Sequence, residues 1–507
     1  MSKISLLLAI FLLSVLSACG GSRNDPGLTN PSQPQPTDTV SGTVQFKGAP
    51  LAGATVTEWL TNTNTVIATA TTDANGNYSF SGLVTTSNSP FDYQFWIQKA
   101  GYGFYPSASA PGTVERFDHT GQFQGNGLTD TAIYFTVVDF IANANQPLAN
   151  ANFTAYDGTN PLVTLPATGQ TTSYVPGDDA SLHKGVAWPA NRFTDNQDGT
   201  VTDHLTGLIW LKNAGCLNPA VWAGAITEAN QLASGTCGLS DQSKAGQWRM
   251  PNIHELESVV DVSASNPAIT PANPFTNVSN AIYWSSTSYF GGVTGSPNAW
   301  AIRMSDGRYI NDGNANLKST AINAVWAVKG TGGGTIKLQA TGAYVSFAPG
   351  DDGAMKAGIP PTFPRYIDNG NGTITDTVTG LVWLKRADCI NQSWSDAVAA
   401  VNTLASGQCG LSDSSKAGAW RMPNRAEMQS LSDRAENNLG SFLDANYLNF
   451  DGSLFRSPIF TNVVGYQYYW TSTTDAANSS EAWTFFSCDF GVYDTPKANL
   501  GYTLAVR

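Results

Sequence analysis

Charge is scarce in this sequence. Only 13% of its 507 residues are Asp, Glu, Lys or Arg, about half the share of an ordinary soluble domain. That scarcity argues against a helical cytosolic enzyme, and the abundance of Gly, Thr, Ser and Asn points to exported, loop-rich β structure. Basic residues are fewer still, 26 against 38 acidic, for a net charge of −12. A broad attraction to nucleic acid or to an anionic membrane surface is therefore not expected. Histidine is nearly missing, with only His119, His183, His204 and His254 in the chain. Long apolar runs are missing too, except Ile4–Val15, which is too short for a good membrane span.

That one run sits between Lys3 and the small residues before Cys19, the layout of a secretory signal peptide. "Leu16-Ser17-Ala18-Cys19" resembles the bacterial lipobox, in which cleavage precedes a cysteine that becomes lipid-modified. The resemblance implies a signal peptide over 1–18 and an acyl anchor on Cys19. With Gly20 rather than aspartate next, it implies the outer membrane as address and membrane lipid as the first partner. Residues 19–39 are Pro-rich and polar without apolar periodicity, and read as a disordered tether reaching roughly 25 Å.

From Val40 the pattern turns to short alternating strands, with the hairpin signal Asp73-Ala74-Asn75-Gly76-Asn77 between two of them. "SGTVQFKGAPLAGATVTEW…TTDANGNYSFSGL" and "IQKAGYGFYP" resemble the carboxypeptidase regulatory-like family. The resemblance implies an all-β, prealbumin-like sandwich over 40–164, acting as a spacer or adhesive support.

The rest of the chain is written twice. Arg192–Cys216 matches Arg365–Cys389 at 15 of 25 positions, and Gln231–Asn252 matches Thr403–Asn424 at 18 of 22. The lead-ins "VPGDDASLHKG" and "APGDDGAMKAG" match as well. A period near 170 residues is too long for a solenoid and means tandem globular domains. The spacing assigns 165–330 to copy 1, 331–337 to a flexible Gly-rich linker and 338–507 to copy 2. Within each copy Trp222, Ala225, Ile226 and Ala229, or Trp394, Ala397, Val398 and Val401, recur at helical spacing. Later segments such as "YWSSTS" and "YYWTSTT" read as strands between long polar loops, which makes each copy α+β.

A second helix is expected at the repeated sentence "GQWRMPNIHELESVVD" and "GAWRMPNRAEMQSLSD". Asn252 and Asn424 stand where a helix cap should, with Glu255 and Glu427 three residues later, the spacing of a capping box. These glutamates read as structural rather than catalytic. Arg249 and Arg421 either pair a core carboxylate or face a ligand, and the first is favoured.

The series "TDNQDGTVTDHLTGLIWLKNAGC…WRMPNIHELESVVD…YWSST…AW" resembles the Lcl C-terminal domain family over both copies. The resemblance implies a C-type lectin-like fold, related to formylglycine-generating enzymes, on an exported bacterial protein. It also implies surface adhesion and glycosaminoglycan binding. The copies end "WAVKG" and "LAVR", without the cysteine that such domains often carry before the last strand.

Six cysteines remain to be placed. Beside Cys19, the matching pairs Cys216/Cys237 and Cys389/Cys409 read as one local disulfide per copy. Cys488 has no counterpart and reads as a buried free thiol. His183, His204 and His254 align with Lys356, Thr377 and Ala426, so no histidine-based catalytic or metal site is common to both copies. "DNQDGTVTD" and "DNGNGTITD" invite calcium but fail the EF-hand pattern, and a tight hairpin turn is expected there. No metal or other cofactor is assigned; calcium stays open without a proper loop. The resemblance to lectin-like folds implies ligand contacts in the long loops, here around Thr287–Asn316 and Thr473–Asp494. Trp284, Asn311, Asp312, Asn314 and Trp470 are the candidates, the tryptophans by stacking on sugar rings. The expected protein is a non-enzymatic envelope lipoprotein displaying lectin-like domains to a surface glycan or protein. A carboxylate-based glycan enzyme and a purely structural component remain as alternatives.

Overall fold

A computed structural model describes residues 37–60, 65–84, 91–99, 102–106, 113–114, 139–142, 153–156, 162–289, 297–310, 314–330, 332–343, 346–359, 365–432, 460–487 and 491–507. The chain is multidomain and mostly β, with six short α-helices among these residues. They are α1 (Asp179–Leu182), α2 (Trp222–Gln231), α3 (Ile253–Ser258), α4 (Asp352–Met355), α5 (Trp394–Thr403) and α6 (Arg425–Ser430). None is long and apolar enough to cross a membrane. Cys19, His119 and Cys488 lie outside the described residues.

The N-terminal unit is built from two five-stranded sheets. Thr37–Phe46 pairs with Asn77–Val84 on one side and, in parallel, with Phe153–Tyr156 on the other. Thr55–Leu60 runs between Thr65–Thr71 and Phe91–Gln98 in the second sheet. Alternation places Val44, Phe80, Phe104 and Phe153 from the first sheet against Val56 and Ile97 from the second in one core.

Each copy begins with a small antiparallel sheet, Phe193–Asp195, Thr200–Asp203 and Ile209–Leu211 or Tyr366–Asp368, Thr373–Asp376 and Val382–Leu384. A second sheet follows, centred on Ile282–Tyr289 and Asn298–Arg303 in copy 1 and on Tyr468–Thr474 and Glu481–Phe486 in copy 2. Helices α2 and α5 bury the four residues that their spacing selected. Their first tryptophans donate to the second sheets, Trp222 to Ser285 O and Trp394 to Thr471 O, both at 2.8 Å. Disulfides Cys216–Cys237 and Cys389–Cys409 close matching loops.

The lead-ins cross. The arm carrying α1, the first part of the span assigned to copy 1, packs on copy 2, and the arm carrying α4, the first part of the span assigned to copy 2, packs on copy 1. Asp179 accepts from Thr168 of its own arm (2.6 Å) and from Thr473 of copy 2 (2.7 Å). Asp352 accepts in the same way from Thr341 (2.5 Å) and from Thr287 of copy 1 (2.7 Å). The arms start on matching turns, Val163 N donating to Val378 O and Ile336 N to Leu205 O. Two lysines complete the symmetry. Lys318 of copy 1 lies over Trp222 and over Phe347 of the second arm, and Lys497 of copy 2 lies over Trp394 and over Tyr174 of the first. The Gly-rich segment, expected as a flexible hinge, is held at Gly333 and Gly334, whose N–H groups donate to Thr206 O.

Candidate functional site

The repeated sentence builds the same object in both copies. Asn252 Oδ1 accepts from Glu255 N at 2.9 Å while Glu255 Oε2 accepts from Asn252 N at 2.9 Å, a complete capping box at the start of α3. Asn424 and Glu427 repeat it at α6 with 2.9 and 3.0 Å. Each glutamate also takes a two-pronged bond from the repeated arginine, Arg249 at 2.6 and 2.6 Å and Arg421 at 2.5 and 2.5 Å. Such paired, charge-assisted bonds fix geometry strongly. The remaining donor of each cap asparagine reaches the crossing arm: Asn252 Nδ2 to Ala357 O, and Asn424 Nδ2 to Lys184 O. One side chain therefore caps a helix and ties down an arm.

The two arm aspartates are buried, and desolvation pushes both carboxyls up to about 6 despite the threonine hydroxyls that favour the charged form. Burial likewise pulls Lys318 and Lys497 down to about 8. The other repeated acids are engaged as well. Asp195 pairs with Lys212 and Asp368 with Lys385; Asp203 pairs with Arg192 and Asp376 with Arg365. Asp241 pairs with Lys329, and Asp413 contacts Arg507 at 2.9 Å without hydrogen-bond alignment.

The "DNQDGTVTD" and "DNGNGTITD" segments are hairpin turns. Asp195 and Asp198 in one, and Asp368 and Asn371 in the other, accept from backbone N–H groups two residues on. Gly199 and Gly372 have positive φ, and a Cβ at either would fall 2.4 or 2.3 Å from the carbonyl oxygen of Gly238 or Gly410, the residue that follows the second cysteine of each disulfide. That contact demands glycine.

Two candidate ligand residues need correction. Trp284 and Trp470 are both 0% exposed, so neither ring face is open to a sugar. Their strands are buried on both faces, and their indole N–H groups donate to Ala220 O and Gln392 O at 2.9 and 3.1 Å. Asn311 and Asp312 lie outside the described residues, and Asn314 begins a short 3-10 helix, Asn314–Asn316.

Copy 2 instead presents an aromatic surface that the sequence reading missed. Tyr466 is 77% exposed and Tyr468 is 39% exposed. Both pack edge-on or tilted against Phe486, and Tyr468 and Phe486 also touch Tyr493. Copy 1 has Asn280, Ile282, Arg303 and Ile310 at these positions, so the feature belongs to copy 2 alone. The signal was visible in setting "YQYYW" beside "NAIYW". On the same sheet, Asp475, Glu481 and Asp494 bring carboxylate oxygens within 4.8 Å of one another. Desolvation and then the neighbouring acids raise Glu481, and burial raises Asp475. Arg308 of copy 1 bonds Asp494 at 3.0 Å and lies over Tyr493.

Comparison with known proteins agrees with the duplication. The family model of the Lcl C-terminal domain matches residues 199–329 and 372–507, more than half of the chain. No curated protein matches. Among solved structures, a 3-chlorocatechol 1,2-dioxygenase from Rhodococcus opacus 1CP is similar at 19% identity and a TM-score of 0.12. That likeness covers 14% of this chain and 43% of the dioxygenase, and it bears on neither fold nor activity.

Proposed function

This chain belongs to the Lcl C-terminal domain family through both of its repeats, and we propose that it is a binding protein of the bacterial cell envelope. In this reading Cys19 carries a lipid, and the tether, expected over 19–39, ends at Thr37, where the first strand begins. The N-terminal β unit, of prealbumin type, is the stalk, and the paired lectin-like copies meet a glycan or protein ligand at the outer membrane. The observation that carries the proposal is the aromatic surface of copy 2, where Tyr466 and Tyr468 stand exposed against the half-buried Phe486 and Tyr493. Clustered aromatic faces bind sugar rings or apolar protein surfaces and are seldom left exposed without a partner.

Two further features shape this reading, the first against carboxylate catalysis and the second on the kind of ligand. The carboxylates common to both copies are spent on caps, arms and ion pairs. The net charge of −12 and the lack of a dense basic run favour neutral or weakly charged sugars over sulfated polymers.

The test is a glycan panel with heparin, read at low and high salt, with and without calcium. Neutral-glycan binding that ignores salt and disappears in Tyr466→Ala/Tyr468→Ala at unchanged melting temperature is expected. Tight heparin binding that collapses as the Debye length shrinks from about 10 to about 3 Å between 0.1 and 1 M salt would restore the polyanion reading. For the anchor, Cys19→Ser should abolish fatty-acid labelling and membrane fractionation.

A further inference from the structure

The N-terminal unit leaves one side open. Thr65–Thr71 is an outer strand of its second sheet, paired among the described residues with Thr55–Leu60 alone. An unpaired edge offers a row of backbone donors and acceptors to any other strand, and proteins blunt it with shortness, proline or charge. Three other outer strands are blunted in this way. Ala49–Pro50 and Thr113–Val114 have two residues each, and Gly103–Pro106 ends in proline. Thr65–Thr71 has seven residues, TVIATAT, with neither charge nor proline. Its one register shift falls at Ile67, which leaves Ala68–Thr71 regular.

The strand turns its free bonding groups outward at a definite place. Thr72 N donates to Ala54 O and Thr72 O accepts from Gly53 N, both at 2.9 Å. Antiparallel pairing alternates inward and outward residues, so the N–H and C=O groups of Thr71 and Thr69 point away from the sheet. Thr69 and Thr71 are exposed, while Ala68 and Ala70 pack on the core. Val66 and Ile67, 41% and 50% exposed, add apolar surface at one end. Along the same side runs an open groove of about 550 Å³, lined by Ser41, Thr43, Ala70, Thr71, Tyr78 and Ser79. Only the small Ala70 and Thr71 stand on its edge-strand wall, so a neighbouring strand meets no bulk there.

We propose that Thr65–Thr71 pairs antiparallel with the same strand of a second copy of this chain, joining two five-stranded sheets edge to edge. Charge picks out this partner. Each copy carries a net charge of −12, so copies repel except where a neutral face meets its twin, and a twofold contact must be complementary to itself. The uncharged strand meets that condition. With Ala70 opposite Ala70 of the second copy, Thr69 and Thr71 exchange backbone bonds with Thr71 and Thr69 across the axis. Asp73, just past the strand, then falls opposite Ile67 of the second copy and away from its own twin. The contact depends on neither the lipid anchor nor the aromatic surface of copy 2.

The experiment is sedimentation equilibrium on the full chain in detergent, with folding followed by circular dichroism. The native chain is expected as a dimer. Thr69→Lys/Thr71→Lys sets two pairs of like charges face to face and should weaken that dimer by about tenfold or more, with each chain still folded. Thr69→Lys/Thr71→Glu puts opposite charges in the same two pairs and should restore it. A monomeric native chain overturns the proposal, and so does a dimer that the like-charge variant leaves intact or that the opposite-charge variant fails to restore. Slow hydrogen exchange at Thr69 and Thr71 in a monomeric chain would overturn it too, by giving the edge to another segment of the same chain. Should the charged variants not fold, Ala70→Cys decides. Mild oxidation should then link dimers beyond the level of the native chain, because the paired Cα atoms lie about 4.5 Å apart, and no added dimer overturns the proposal.

Discussion

The two arms make the same contacts by different routes. Asp352 reaches Thr287 across 65 residues, inside a continuous stretch of chain. Asp179 reaches Thr473 across 294 residues and cannot do so until both copies are in place. Identical local chemistry therefore serves two purposes. The second arm finishes copy 1, while the first closes the whole repeat region by pinning its beginning to its end. Contacts at long separation form late, because the chain-closure entropy precedes their reward. Duplication alone does not specify this; the crossing of the arms does.

If the copies are equivalent scaffolds, matching substitutions should cost the same in each. The largest effect is expected from Arg249→Ala and Arg421→Ala. Each strands a buried glutamate and should cost about 3–5 kcal/mol in denaturant unfolding. A large gap between the two would break the equivalence. Removing either disulfide by paired Cys→Ser substitution should cost about 3 kcal/mol, again alike, since the loops differ by one residue.

Acidity acts on the arms with a definite sign. A carboxyl raised from 3.8 to about 6 binds its proton more tightly in the folded chain, so its contribution to stability rises as pH falls from about 6 to about 4. Asp179→Asn and Asp352→Asn should each flatten that rise, measured as melting temperature against pH relative to the native chain. The smallest effects are at the caps. Asn252→Ala and Asn424→Ala should cost about 1 kcal/mol each, and Glu427→Gln less than Arg421→Ala. Glycan binding that is lost at unchanged melting temperature in these variants would move the repeated sentence into the binding site.

What could be read from the sequence was local. The capping boxes span three residues, and the disulfide loops and helix faces span two dozen or fewer, so pattern alone identified them. The arms were visible as a repeated motif, but nothing within eleven residues says which copy they meet. Trp284 and Trp470 were misplaced for a related reason. Strand alternation separates two faces only when one is solvated, and these strands are buried on both. Tyr468 and Arg425 stand out once the copies are set side by side, because they replace Ile282 and Ile253. Their opposite fates, one exposed and one buried, depend on tertiary packing.

Cross-copy closure is tested most directly by a double-mutant cycle on Asp179→Asn and Thr473→Val, with Asp352→Asn and Thr287→Val as the internal standard. Unfolding free energies of the four single and two double variants give two coupling energies. Crossed arms predict that both pairs couple by about 1 kcal/mol, as buried hydrogen-bonded neighbours do. Additivity within about 0.3 kcal/mol for Asp179 and Thr473, beside clear coupling for Asp352 and Thr287, would contradict the closure of copy 2 by the first arm.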